Sequence, residues 1–62
     1  MKKRECFRAN LAGYDIVLTQ TGKDSFGVRY GAQYKCRLPY AEAAKELGYC
    51  IFHALQCEGK FD

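Results

Sequence analysis

The sequence predicts an α+β fold, in which an antiparallel meander of three or four β-strands is followed by one C-terminal α-helix packed on one sheet face. Two observations lead to this prediction. Residues 6–38 alternate between apolar and polar side chains, and residues 39–58 show the spacing of an amphipathic helix. Because every strand pattern precedes the helix pattern, no parallel crossover is available and the strands should pair antiparallel. The 62 residues are expected to form a single small domain.

The strands are predicted from alternation that is interrupted by turn-forming residues. Ala12-Gly13 separates the first two alternating stretches and is expected to turn the chain. The polar, glycine-containing stretch 21–25 has the composition of a hairpin loop. The alternation that follows contains Gly31, which suits either a tight turn or a bulge. Four short strands, or three strands of which the third is bulged, therefore remain open.

The helix is predicted over residues 39–58, because proline is favoured at the first helical position and Gly59 suits the residue that ends a helix. Gly48 should mark a close approach of the helix to a strand, or else a break into two helices. At helical spacing the apolar side chains share one broad face: Tyr40, Ala41, Ala44, Leu47, Gly48, Ile51, Phe52, Ala54 and Leu55. The expected core places three helix residues against three strand residues: Leu47, Ile51 and Leu55 against Ile16, Leu18 and Val28.

The formal charge of +3 is distributed unevenly along the chain. Residues 1–37 contain eight basic and three acidic side chains, whereas residues 38–62 contain two basic and four acidic ones. The predicted sheet is therefore basic and the helix mildly acidic. This asymmetry favours an acidic partner for the sheet, although a solvated surface that only aids solubility would look the same.

The basic residues of the sheet are predicted to lie on the face away from the helix, where nothing remains in the chain to cover them. Guanidinium and ammonium groups can contact phosphates, and an amide can contact a base edge. The candidate macromolecule-binding residues are therefore Arg8, Arg29, Gln33, Lys35 and Arg37. The same alternation places the Phe and Tyr side chains on the buried face, which argues against base stacking on the sheet.

No catalytic or metal-binding constellation is predicted. Cys50, His53 and Cys57 lie on one side of the helix, but the two cysteines are about 10.5 Å apart along its axis, too far to share one metal ion. A thiol–imidazole pair of His53 and Cys57 lacks a third orienting group. We therefore expect no enzymatic activity, no cofactor and no metal, and four free thiols.

The expected location of the protein follows from two features that the sequence lacks, a membrane span and a signal peptide. No apolar run approaches the length of a membrane span, and the basic start of the chain is not followed by the apolar stretch of a signal peptide. The sequence therefore predicts a cytoplasmic protein with reduced cysteines and no membrane partner.

Two resemblances bear on function. A small antiparallel sheet plus one helix resembles the DNA-binding domains of integrase amino termini and of the plant ethylene-response type, which implies duplex DNA on the exposed sheet face. A very short, single-domain cytosolic chain resembles the small proteins of phages and mobile elements, including anti-CRISPR inhibitors. That resemblance implies a non-enzymatic inhibitor that binds a host protein or protein–nucleic-acid complex. Inhibition of a host complex is the favoured hypothesis, and DNA binding through the basic sheet face is the alternative.

Overall fold

The structure is a computed structural model that describes residues 3–61. One four-stranded antiparallel sheet has its strands side by side in chain order, and one helix packs on it. The elements are β1 (Arg4–Leu11), β2 (Tyr14–Gly22), β3 (Ser25–Tyr30), β4 (Gln33–Leu38) and α1 (Tyr40–Cys57). This architecture confirms the predicted α+β meander with a C-terminal helix.

Two short turns determine the number of strands. Ala12 (φ 54°) and Gly13 (φ 80°) both have positive φ, the backbone that joins two antiparallel strands without splaying them. Gly31 (φ 59°) and Ala32 form a second two-residue turn, and the Gly31 N–H donates to the carbonyl oxygen of Asp15 at 2.9 Å. Because this turn joins two paired strands, the sheet has four strands and Gly31 is not a bulge within a third.

A neighbouring turn caps the start of α1. Pro39 is extended (φ −68°, ψ 167°), so it precedes the helix as the N-cap residue and contributes no side-chain acceptor. Asp24, in the turn between β2 and β3, accepts the backbone N–H of Tyr40 at 3.0 Å. The helix therefore begins one residue later than predicted, and a residue distant in sequence satisfies one of its free N–H groups.

The end of α1 follows the glycine-terminated pattern that the sequence predicts. Gly59 has φ 75°, a conformation in which glycine is favoured. Its N–H donates to the carbonyl of Gln56, and the Lys60 N–H donates to the carbonyl of Leu55, both at 3.0 Å. This is the Schellman arrangement, which satisfies carbonyl groups that the helix leaves free. Within residues 3–61 no helix combines the length and the apolar character needed to cross a membrane.

A bulge in β4 reverses the predicted faces of part of this strand. Phe26 pairs with Leu38 and Val28 with Lys35, so β4 carries one residue more than β3 between these pairs. Arg37, in this interval, has φ 59°. Leu38 therefore shares a face with Phe26, as expected. The residues of β4 before the bulge lie on the face opposite to the one that alternation counted from Leu38 predicts.

The reversal places Gln33 and Lys35 on the helix side of the sheet. The two-residue turn pairs Tyr30 with Gln33, and directly paired residues share a face. Lys35 reaches Glu46 of α1, and Tyr34 is opposite Arg29 on the other face. The prediction that Gln33 and Lys35 lie on the exposed sheet face is therefore wrong, because it assumed unbroken alternation through β4.

The core lies between the middle of the sheet and one side of α1. Its buried residues are Ile16, Val28, Ala43, Cys50 and Ala54. Leu18, Leu47 and Ile51 are partly buried against this cluster, which confirms their predicted places in the core. Leu55, also predicted there, is half-buried and lies outside the cluster.

Helix α1 is rotated about its axis relative to the predicted phase. Ala43 and Cys50, which fall outside the predicted apolar stripe, are buried, whereas Tyr40 and Phe52 are 72% and 65% exposed. The buried helix residues are small, so the helix lies close to the strands, and the large aromatic side chains would hold it away. The face that packs therefore keeps Leu47 and Ala54 of the predicted stripe and is shifted away from Phe52.

Gly48 does not have the role that the sequence predicts. A Cβ atom at this position would meet no neighbouring atom within 4 Å, so no strand approaches closely here. The helix also continues through Gly48 without a break. A glycine in a helix interior costs about 1 kcal/mol relative to alanine, and no contact among residues 3–61 explains Gly48.

Candidate functional site

The face of the sheet away from α1 carries a cross-strand row of four residues, which we call the open-face row. Arg8 pairs with Val17, Val17 with Arg29, and Arg29 with Tyr34, so the row crosses all four strands. Val17 is only 7% exposed although no helix covers this face. The long side chains on both sides of it can cover apolar surface with their stems while their charged ends stay in water.

Tyr34 is held over a glycine in the neighbouring strand. A Cβ atom on Gly27 would lie 2.9 Å from two ring carbons of Tyr34, closer than two such atoms can pack. Gly27 is buried, and Tyr34 is 50% exposed. The absent side chain in β3 thus lets the Tyr34 ring lie against the sheet while part of it remains available to a partner.

The two arginines of the row differ in their electrostatic environment. Arg8 forms two hydrogen bonds with the Glu5 carboxylate, at 2.8 and 3.1 Å, which lower the pKa of Glu5. Arg29 donates from Nε to the carbonyl oxygen of Gly31 at 3.2 Å, and no acidic residue in the described part of the chain forms a salt bridge with it. Arg29 is therefore positioned by the β3–β4 turn and retains an uncompensated charge.

These side chains border a shallow depression of about 440 Å³ on the open face. Its lining residues are Lys3, Glu5, Arg8, Val17, Thr19, Arg29, Ala32 and Tyr34. The lining combines cationic groups, one paired carboxylate, an aromatic ring and an apolar base. Guanidinium groups can pair with acidic groups, and an aromatic ring can contact a planar one.

The structure brings together only part of the predicted binding set. Arg8 and Arg29 share the open-face row, as predicted. Lys35 donates to the Glu46 carboxylate at 2.7 Å on the helix side, and this hydrogen bond raises the pKa of Lys35. Gln33 lines a separate cleft beside α1, and Arg37 is exposed at the bulge of β4.

The residue that sequence reasoning missed on this face is Tyr34. Strict alternation counted back from Leu38 assigned it to the buried face. Two signals could have placed it correctly. A two-residue turn at Gly31-Ala32 fixes the start of β4, and a glycine inside a strand, here Gly27, is typical of a close approach by another group.

The helix cysteines and histidine are not gathered into a metal site. The described residues 3–61 contain no group of three or more potential ligands arranged to hold a metal ion. Cys50 is buried in the core, while His53 accepts or donates a hydrogen bond with the Tyr30 hydroxyl at 2.9 Å. Cys57 Sγ lies 4.0 Å from the same ring nitrogen of His53.

The four cysteines are all free thiols, and they should differ in reactivity. Cys6, Cys36 and Cys57 are exposed, whereas Cys50 is buried and its burial raises the pKa of its thiol. Because the thiolate is the reactive form, we expect three fast adducts and one slow adduct when the native protein is alkylated at pH 8. Intact mass spectrometry over time measures this, and denatured protein, expected to give four fast adducts, is the control. Four equally fast adducts on the native protein would contradict the buried position of Cys50.

No protein-family model matches this chain, and no curated protein or solved structure matches it.

Proposed function

We propose that this protein is a non-enzymatic interaction protein that binds a macromolecular partner through the open-face row. The observation that supports this most strongly is the arrangement of Arg8, Val17, Arg29 and Tyr34 in one line on a sheet face that no other element of residues 3–61 covers. Arginine and tyrosine are enriched among the residues that dominate binding energy in protein interfaces. The buried Val17 between the two guanidinium groups gives this line an apolar centre.

The proposed role is inhibition of a host macromolecular complex, in the manner of the small phage proteins that include anti-CRISPR inhibitors. In this role the partner is a host protein or a protein–nucleic-acid complex in the cytoplasm of a bacterial or phage-infected cell. An inhibitor of this kind needs a surface and no catalytic group.

Nucleic acid is the second candidate partner, and the exposed position of Tyr34 beside Arg29 favours it specifically. Aromatic rings on a sheet stack with unpaired bases, and nearby arginines contact the phosphates. Two of the predicted duplex contacts, Gln33 and Lys35, lie on the opposite side of the sheet. The open face therefore fits a single strand better than a duplex.

An inhibition assay tests the first proposal. The protein is expressed in bacteria that carry active CRISPR–Cas systems of different types, and the plating of a targeted phage is measured. We expect wild type to restore plating on one type, and the Arg29→Ala/Tyr34→Ala double variant to lose this effect at equal protein level. Lys45→Ala, which removes an exposed charge from α1, is the matched control and should act like wild type. Restoration that is equally strong in the double variant would contradict a role for the open face.

A binding titration with single-stranded and duplex DNA tests the second candidate. If a single strand binds, contacts by two guanidinium groups predict a log–log salt slope of about −1.4. Tyr34→Ala should then weaken binding by about 1–3 kcal/mol. Fluorescence anisotropy at two salt concentrations measures both effects. Affinity that is absent for both DNA forms, or that is unchanged in Tyr34→Ala, would eliminate nucleic acid as a ligand of this face.

A further inference from the structure

A second candidate site lies on the helix side of the sheet, separate from the open face. We call it the tyrosine cleft, a cavity of about 450 Å³ between α1 and the end of the β3–β4 hairpin. Its lining residues are Tyr14, Tyr30, Ala32, Gln33, Tyr49 and His53. Its volume falls within the range of small-ligand sites in proteins, and four of its six lining side chains are aromatic.

Of the three ring pairs around the tyrosine cleft, two are inclined and one is nearly parallel. The Tyr14 and Tyr30 ring centres are 5.1 Å apart at an angle of 50°, and those of Tyr30 and His53 are 5.8 Å apart at 86°. Tyr49 lies nearly parallel to His53, with ring centres 6.1 Å apart. The cavity is therefore bordered by aromatic rings of different inclination.

Two contacts within the chain hold three of these rings, those of Tyr14, Tyr30 and His53, in place before any ligand binds. Tyr14 lies against Gly31, where a Cβ atom would approach within 2.9 Å of the ring. The Tyr30 hydroxyl and His53 Nδ1 form a hydrogen bond of 2.9 Å. Rings fixed in this way lose little further freedom when a ligand enters, which lowers the entropic cost of binding.

The charges around the tyrosine cleft favour a cationic ligand over an anionic one. The lining contains no Asp, Glu, Lys or Arg residue, and Lys35, which lines the adjoining cavity, is bound to Glu46 at 2.7 Å. Partial burial raises the pKa of Tyr30, so its ring remains a neutral phenol at physiological pH. A phosphate or carboxylate would find no counter-charge here, whereas the negative faces of aromatic rings attract organic cations.

We propose that the tyrosine cleft binds an alkylated ammonium group. Such a group is bulky, weakly hydrated and cationic, which matches a cleft lined by three tyrosine rings and one histidine ring. The cation can come from a free molecule of the choline type or from a methylated lysine side chain of a partner. This inference does not depend on the open-face row.

The test is an NMR titration of isotope-labelled protein with three probes. They are choline, a peptide containing trimethyllysine, and 3,3-dimethylbutan-1-ol, the uncharged carbon analogue of choline. We expect choline and the peptide to shift signals of Tyr30, Gln33 and Tyr49, and the uncharged analogue to cause no saturable shift. Tighter binding of the peptide than of choline identifies a partner side chain as the source, and the reverse order identifies a free molecule.

Variants connect the binding to the rings. Tyr49→Ala removes one wall of the cleft and should weaken binding of both cations about two- to fivefold. Tyr40→Ala is the matched control, because Tyr40 is similarly exposed on the same helix and does not line the cleft. Equal binding of the uncharged analogue, equal losses in the two variants, or no saturable shift with either cation would each overturn the proposal.

Discussion

Replacing Ile16 with alanine is expected to remove a large part of the stability of this protein. Ile16 lies in β2 and is 0% exposed, and it is the largest side chain that the fold buries completely. Deleting such a side chain typically costs about 2–5 kcal/mol, because the transfer energy is lost and a cavity remains. A domain of this size has a total stability of about 3–9 kcal/mol. Urea unfolding followed by circular dichroism measures the loss.

Ile51→Ala is the matched control for this prediction. It deletes the same atoms from a residue that packs against the same core but remains partly exposed. The cavity can be filled by solvent there, so the cost should be clearly smaller than that of Ile16→Ala. Equal losses of stability in the two variants would show that the helix contributes as much to the core as the centre of the sheet does, contrary to the packing described above.

The strand and helix segments could be predicted from the sequence because local chemistry determines them. Alternation gives the strands, and Gly59 gives the helix end. The faces of β4 could not be predicted in the same way, since a bulge adds one residue and shifts the alternation. Arg37 lies in this bulge and has a positive φ. Arginine rarely adopts that conformation, so nothing in the sequence indicates the bulge at this position.

The rotation of α1 could not be predicted because its apolar residues cover more than one face. The stripe that contains Phe52 and the stripe that contains Ala43 and Cys50 overlap at Leu47 and Ala54. Hydrophobic periodicity favours the stripe with the larger side chains. The sheet instead packs against the stripe with the smaller side chains. That choice depends on the fit between helix and sheet, and the helix sequence alone does not determine it.

The open-face row could be predicted only for residues in strands that keep their alternation. Arg8 and Arg29 lie in β1 and β3, where the predicted parity holds at their positions. Tyr34 could be placed only by counting from the turn at Gly31-Ala32, because the bulge shifts the alternation counted from Leu38, and its contact with Gly27 links two strands. Candidate sites that span several strands therefore depend on pairing register more than on composition.

Two adjacent alanines test the rotation of α1 directly. Ala43 is 4% exposed against the core, whereas Ala44 is exposed, although the sequence pattern predicts the reverse. Ala43→Leu should therefore destabilise the protein by about 1–3 kcal/mol through overpacking. Ala44→Leu, the matched control, should change stability by no more than about 0.5 kcal/mol.

Thermal unfolding separates these outcomes clearly in so small a domain. A loss of 1 kcal/mol lowers Tm by about 4–8 °C at this size, so Ala43→Leu should melt well below wild type. Ala44→Leu should melt within a few degrees of wild type. Alanine and leucine are both good helix formers, and the larger side chain at position 44 meets solvent. If Ala44→Leu were the less stable variant, the helix would pack through the stripe that contains Phe52, and the core described for Ala43, Cys50 and Ala54 would be wrong.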